Sequence, residues 1–141
     1  GMAADFDGFF FGTPVHWAAS DGFLTSFLSR AFFVCQNGGV DMFYLKPAAG
    51  VVSARRAGTT STWDQINKYL GILEMPIVTS QYWNHVHGRT PDEVRQDIEG
   101  MQTMRTLARN MAYMLRCKEA AKKAGVPLPK REPVILTDFI H

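Results

Sequence analysis

The sequence predicts an α/β fold with a small parallel sheet. Stretches of strand length rich in apolar residues alternate with helical patterns along most of the chain. Two of those strands run directly into polar, Gly-containing turns that open helices. The first strand, residues 6–15, is apolar on both faces, as expected for a strand covered on both sides. Alternating β and α segments imply parallel strands joined by right-handed crossovers. In an open sheet of this kind, ligands bind at the loops that follow the carboxyl ends of the strands.

The first helix is expected to start near Ser20 or Asp21, either a good N-cap. It carries Phe23, Leu24, Phe27, Leu28 and Phe32, a stripe expected to face the sheet. Asn37, Gly38 and Gly39 break it. A second strand spans residues 48–52 and a helix follows over residues 61–70, with Trp63, Ile66 and Leu70 on one side and Gly71 as its stop. A third strand is expected over residues 75–80, with Pro76 tolerated at its start or edge. Residues 81–89 read as an irregular loop of aromatics and histidines. Thr90, Pro91 and Glu93 then form a strong helix start: N-cap, Pro at N1 and a capping box. The helical pattern continues to Ala124, with Gly100 expected to divide it, and Gly125 and Pro127 stop it. Residues 126–141 are read as a tail that packs on the domain or a neighbour, through Val134, Ile135 and Leu136.

At 141 residues the chain reads as one domain with a real core. A hydrophobic fraction of 46% and a charged fraction of 20% are those of an ordinary globular protein. The formal charge of +2, with the basic residues scattered, gives no footprint for nucleic acid. No apolar run reaches the ~20 residues of a membrane span, and no signal-peptide pattern opens the chain. Gly1 before Met2 reads as an expression scar. Cys35 and Cys117 form no C-x-x-C pair, which suggests a reduced, cytoplasmic protein.

The chemistry-bearing residues cluster in the two turns. Thr13, Pro14, Val15, His16 and Trp17 follow the first strand. Ser53, Ala54, Arg55, Arg56, Gly58, Thr59 and Thr60 follow the second. Pro14 stiffens its turn by fixing φ. Trp17 either walls a ligand ring or packs beneath the helix. Thr59, Thr60 and Ser61 either bond a ligand or cap the next helix. Arg55 and Arg56 either meet an anionic ligand or are simply solvated. His85 and His87 lack a Cys or carboxylate at ligand spacing, so they read as surface or interface residues and no metal site is expected. No G-x-G-x-x-G fingerprint is present. Ser61 has no partner histidine at a sensible spacing, which argues against hydrolase chemistry.

The run Gly12-Thr13-Pro14-Val15-His16-Trp17 resembles the G-T-P-V-Y-W/F-G turn of the flavodoxin-like NAD(P)H-dependent FMN reductases and multimeric flavodoxins. In that family this turn follows the third strand and approaches the isoalloxazine ring. Residues 53–62 resemble the loop after the fourth strand, at the pyrimidine side of the ring. Residues 81–88 resemble a loop after the fifth strand that reaches the ring of the same or a neighbouring subunit. The chain departs from the pattern at His16, where the family usually has an aromatic hydroxyl residue, and at Ala18, where Gly is common.

The resemblance, over residues 5–124, implies a flavodoxin-like three-layer sandwich, here a partial domain truncated to about three parallel strands with flanking helices. It implies that the first two strands, about 50–70 residues, are missing, and with them the loop that cradles the FMN phosphate at a helix N-terminus. The implied activity is an FMN-dependent NAD(P)H oxidoreductase passing electrons to a quinone, flavin or metal acceptor, with Arg55 or Arg56 at N1–O2 of the flavin or the 2′-phosphate of NADPH. The alternative is a partner-completing half-domain that holds FMN weakly or not at all. No catalytic residue is singled out. An open edge at Phe9, Phe10 and Phe11 implies a homodimer or higher homo-oligomer.

Overall fold

The computed structural model describes residues 2–139. Gly1, read as a scar, and Ile140 and His141 of the tail lie outside the described residues. The sheet has the order β2-β1-β3-β4, formed by β1 (Phe9–His16), β2 (Ala19–Ser20), β3 (Ala48–Ala54) and β4 (His85–His87). The strands β1, β3 and β4 are parallel, and β2 is a two-residue antiparallel return against the end of β1. Helix α1 (Gly22–Asn37) connects β1 to β3, and α2 (Thr59–Ile72) connects β3 to β4. The short α3 (Pro91–Gln96) and the long α4 (Ile98–Lys123) follow. The chain is therefore α/β with a mostly parallel sheet and flanking helices, consistent with the flavodoxin-like order.

Two cores form on opposite faces of β3. Ala48 packs with Leu28, Phe32 and Cys35 of α1 and Ile66 and Leu70 of α2. Ala49 packs with Leu107 and Met111 of α4. β3 is built from small residues at this point, and the spacing needs them. A Cβ on Gly50 would stand 2.9 Å from Ile66 Cγ2, inside van der Waals contact. The central strand is thin enough for α2 to lie against its backbone.

Several expected boundaries move. β1 begins at Phe9, not at residue 6. Asp21 is the N-cap of α1 and accepts a bond from the Phe23 N–H at 2.7 Å. The expected α1 stripe is half correct: Leu28 and Phe32 are buried, whereas Phe23 and Phe27 are exposed. At 100° per residue the sheet-facing side is filled by Leu24, Leu28, Ala31, Phe32 and Cys35. Phe23 and Phe27 fall outside it. Helix α2 runs two residues further at each end than expected. The helical break lies at Asp97, while Gly100 sits inside the first turn of α4.

The expected third strand is the largest correction. Residues 75–80 touch β3 through a single bridge, Ile77 to Ala48. The strand proper is His85–His87, inside the expected irregular loop. Ala48 faces Ile77 and Val52 faces His85, so the chain advances eight residues while β3 advances four. The four extra residues swing out and carry Tyr82 and Trp83 with them. Fully buried Asn84 closes the excursion: its Nδ2 donates to the Val78 carbonyl at 3.2 Å and its Oδ1 accepts from Ser80 Oγ at 2.8 Å.

The expected exposure of three phenylalanines on the β1 edge is met only at Phe10, which is 53% exposed. Phe9 stacks on Phe11 at 6.0 Å and meets Phe43 at 5.2 Å, and Phe11 meets Phe32 at 5.8 Å. The chain's own core thus takes the face that carries Phe9 and Phe11. On its second edge β1 has β2 beside Val15 and His16 only. The tail is held at Arg131, which pairs with Asp41, bonds Glu74 at 2.8 Å and lies 3.7 Å from the Tyr44 ring centroid. Beyond it Val134, Ile135, Leu136 and Phe139 are exposed.

Gly88, with φ of 157°, lets β4 turn into α3, and a Cβ there would lie 2.5 Å from the Val94 backbone nitrogen. Backbone cannot yield as a side chain does. Gly88→Ala is therefore expected to cost about 2–3 kcal/mol of stability, read from the urea midpoint at unchanged slope.

Candidate functional site

The pairing of β1 with β3 sets the two predicted turns side by side. Thr13 lies opposite Val52 and Pro14 opposite Ser53. The turns then touch: a Cβ on Gly58 would fall 2.9 Å from Val15 Cγ1, and Gly58 adopts φ of 92°. Only glycine takes that backbone at that distance without strain.

Within the first turn the residues divide by role. Thr13 is buried, and its hydroxyl donates to the Pro14 carbonyl at 3.0 Å while accepting the Asp21 N–H at 2.9 Å. It ties the end of β1 to the start of α1 and presents nothing to a ligand. Val15 pairs with Ser20 and His16 with Ala19. Pro14, His16 and Trp17 are exposed. Trp17 is 99% exposed with φ of 62°, and the Ala18 N–H bonds the His16 carbonyl at 2.9 Å. A bond spanning three residues at positive φ is the strained kind of γ-turn. Of the two sequence readings of Trp17, packing beneath the helix is excluded by this exposure.

The second turn presents its backbone. Ser53 is half-buried, Ala54 is buried, and Arg55 and Arg56 are exposed. Neither arginine has an ion-pair partner among the described residues. Gly58 is the N-cap of α2 and no side chain caps that helix. The expected capping by Thr59, Thr60 or Ser61 does not occur. Thr59 is buried, Thr60 is exposed, and Ser61 Oγ instead donates to the Gly58 carbonyl at 3.1 Å. The first N–H groups of α2 therefore lack a side-chain acceptor, and the positive end of the helix dipole lies at the turn that follows β3.

His85 and His87, expected at the surface or an interface, are half-buried and join a compact cluster. Val52 lies opposite His85 and Ala54 opposite His87, so both histidines flank the end of β3. Their rings are 4.9 Å apart, and Tyr82 and Trp83 stand 5.8 and 6.3 Å from His85. Asp97 anchors the cluster. Its Oδ2 accepts the His87 N–H at 2.7 Å and lies 3.8 Å from His87 Nδ1, and its Oδ1 accepts the Gly100 N–H at 2.9 Å. Burial pushes the Asp97 carboxyl up, but the bonds from Gly100 and His87 outweigh it and hold it below its ordinary value. Burial, aided by His87, pushes His85 below its ordinary value. The Asp97 carboxylate, ten residues beyond His87, was not legible at ligand spacing because the loop and α3 bring it back. No group of three or more His, Cys, Asp or Glu able to hold a metal occurs among the described residues.

Residues 2–90 match the sequence profile of the NADPH-dependent FMN reductases, from β1 through β4. The chain belongs to that family. Comparison with curated proteins yields no significant match. The family's cofactor can be tested against the residues present. An isoalloxazine ring needs N–H donors at its pyrimidine edge, an apolar wall and a cation near N1–O2. The uncapped start of α2, exposed Trp17 and unpaired Arg55 and Arg56 supply these chemistries around one seam, and so fit the ring.

The depressed His85 makes a pH signature. Between its folded value and about 6.5, the unfolded chain holds a proton there that the folded chain does not, so stability falls as pH falls through that window. In His85→Gln that part of the slope is absent. Melting temperatures from pH 7 to pH 5 should drop less for the variant than for the wild type, and equal drops would reject the assignment.

Proposed function

We propose that the chain acts as an FMN-dependent NAD(P)H oxidoreductase, with the flavin ring lying over the seam between residues 13–17 and 53–60. FMN, when bound, accepts a hydride from the nicotinamide and passes electrons to a quinone, a second flavin or a metal acceptor. The seam carries this reading: two turns of a family member meet at Val15 and Gly58, beside an uncapped helix start.

The protein's part is to bind and orient. The first N–H groups of α2 would donate to the pyrimidine carbonyls of a bound ring. Arg55 or Arg56 would place positive charge near its N1–O2 edge or meet the 2′-phosphate of NADPH. Trp17 would wall one face of the ring. Pro14 and the bonds of buried Thr13 keep the first turn in place. No helix among the described residues is long and apolar enough to cross a membrane. Cys35 and Cys117 are both free, in keeping with a reduced cytoplasmic setting.

Lumiflavin, which lacks the ribityl phosphate, isolates the ring subsite. It should bind with partial quenching of tryptophan fluorescence, and Trp17→Ala should remove most of that quenching. Undiminished quenching in the variant would place the ring elsewhere. Arg55→Ala with Arg56→Ala should lower NADPH oxidation or flavin affinity at least about tenfold, since charge-assisted bonds are worth about 1.5–3 kcal/mol. The melting temperature should barely move, because both side chains are exposed and unpaired. A sharp loss of stability with unchanged turnover would make the pair structural.

A further inference from the structure

The geometry points to a binding site for a guanidinium cation on a short aliphatic stem, built from Asp41, Tyr44 and Glu74 and plugged by the chain's own Arg131. It does not rest on the flavin. Helices α1 and α2 start at the carboxyl ends of β1 and β3, where the two turns meet, and run back to the opposite end of the sheet. Asp41 and Tyr44 follow the end of α1, and Glu74 follows the end of α2. Arg131 of the tail reaches all three. It pairs with Asp41 through Nη1 and bonds Glu74 at 2.8 Å through Nε, and its Cζ lies 3.7 Å from the Tyr44 ring centroid.

The three groups select a planar cation. Two carboxylates take two different nitrogens of one fork while the ring covers its face. A guanidinium makes that match, and the point charge of an ammonium does not. The acceptors stand on unusual backbone. Glu74 has φ of 56° and Leu45, next to Tyr44, has φ of 53°, and the Leu45 N–H bonds the Glu74 carbonyl at 3.3 Å. Neither residue is glycine, so each conformation costs on the order of 1–3 kcal/mol. The Lys118 ammonium donates to the Leu45 carbonyl at 2.6 Å and fastens the same loop to α4.

Beside the guanidinium lies a cavity of about 260 Å³, which Cys35, Phe43 and Leu73 of the core help to line. It offers the carbon stem of a free ligand an apolar seat. The plug is removable. Residues 126–139 form no helix or strand and all are exposed. Arg131 and the Tyr44 hydroxyl, which donates to the Pro129 carbonyl at 3.3 Å, tie this tail to the domain. Two formal negative charges against one positive leave the mouth attractive to a further cation. A free guanidinium therefore competes with Arg131 for the same two carboxylates and the same ring.

Isothermal titration with butylguanidine, and with pentylamine as the matched ammonium, tests the site. Arg131→Ala should bind butylguanidine at a single site, at least about tenfold more tightly than pentylamine. The wild type should bind it about tenfold more weakly than R131A, because the tethered arginine competes at an effective concentration in the millimolar range. Asp41→Asn with Glu74→Gln in the R131A background should abolish binding. All three residues are exposed, so the circular dichroism spectrum should not change. A second readout uses the wild-type chain. Added butylguanidine should shift the Arg131 Nε–H resonance toward its position in D41N with E74Q, where the plug has no carboxylate to hold it. An R131A that takes up no butylguanidine or binds pentylamine equally well, binding that survives D41N with E74Q, or an Nε–H resonance that stays in place would overturn the proposal. Equal affinity in wild type and R131A would overturn the plug.

Discussion

The parallel pairing of β1 with β3 is the constraint on which the rest of the molecule depends. Six consecutive residue pairs, from Phe9 with Ala48 to Pro14 with Ser53, hold the two strands in register. Each strand end then delivers its turn to the same place. The register also faces Phe9 and Phe11 toward Ala48 and Gly50, large against small. That is how the aromatic half of the core fits beside a strand with almost no side chains of its own. A shift by one residue would turn Phe9 and Phe11 to the opposite face and part Pro14 from Ser53. The site and the core are fixed by one set of backbone bonds.

At the carboxyl end of that pairing, both turns depart from relaxed backbone geometry. Trp17 and Gly58 both have positive φ, and they stand in the two turns that meet. Backbone of this kind costs on the order of 1–3 kcal/mol at a non-glycine residue. It persists at Trp17 because the neighbouring bonds over-determine it: β2 pairs back on Val15 and His16, and Thr13 ties the strand end to Asp21. The same end leaves the α2 amides uncapped and two arginines unpaired. Energetically unsatisfied groups on a rigid support are what a ligand site requires.

Much of this was legible in the sequence, for identifiable reasons. Strands β1 and β3 read clearly because each is a continuous apolar or small-residue run ending in a turn. The start of α3 read clearly because Thr90, Pro91 and Glu93 act locally, and the structure has the Thr90 hydroxyl accepting the Glu93 N–H. Strand β4 did not read, because its pairing depends on a four-residue excursion held by one buried asparagine, and no periodicity records that. The site turns were found from their position after strands. The division of labour inside them was not: whether Thr13 faces a ligand or a helix start depends on the distant Asp21 N–H. Asp97 joined His87 only through the fold.

Helix α1 shows the same limit from the other side. Its apolar residues surround most of its circumference, and a helix of that kind is normally buried all round. Periodicity alone could not say which of Phe23, Phe27, Phe32 and Phe33 would meet the sheet. The structure divides them: Phe32 and Leu28 pack in the core with Ala48 of β3, while Ile66 of α2 takes the space over Gly50. Phe23, Phe27 and Phe33 stay on the exposed side of the helix. Small Ala48 at the head of β3 leaves the room that Phe32 takes, so the sorting of the α1 phenylalanines is written in the strand and not in the helix's own periodicity.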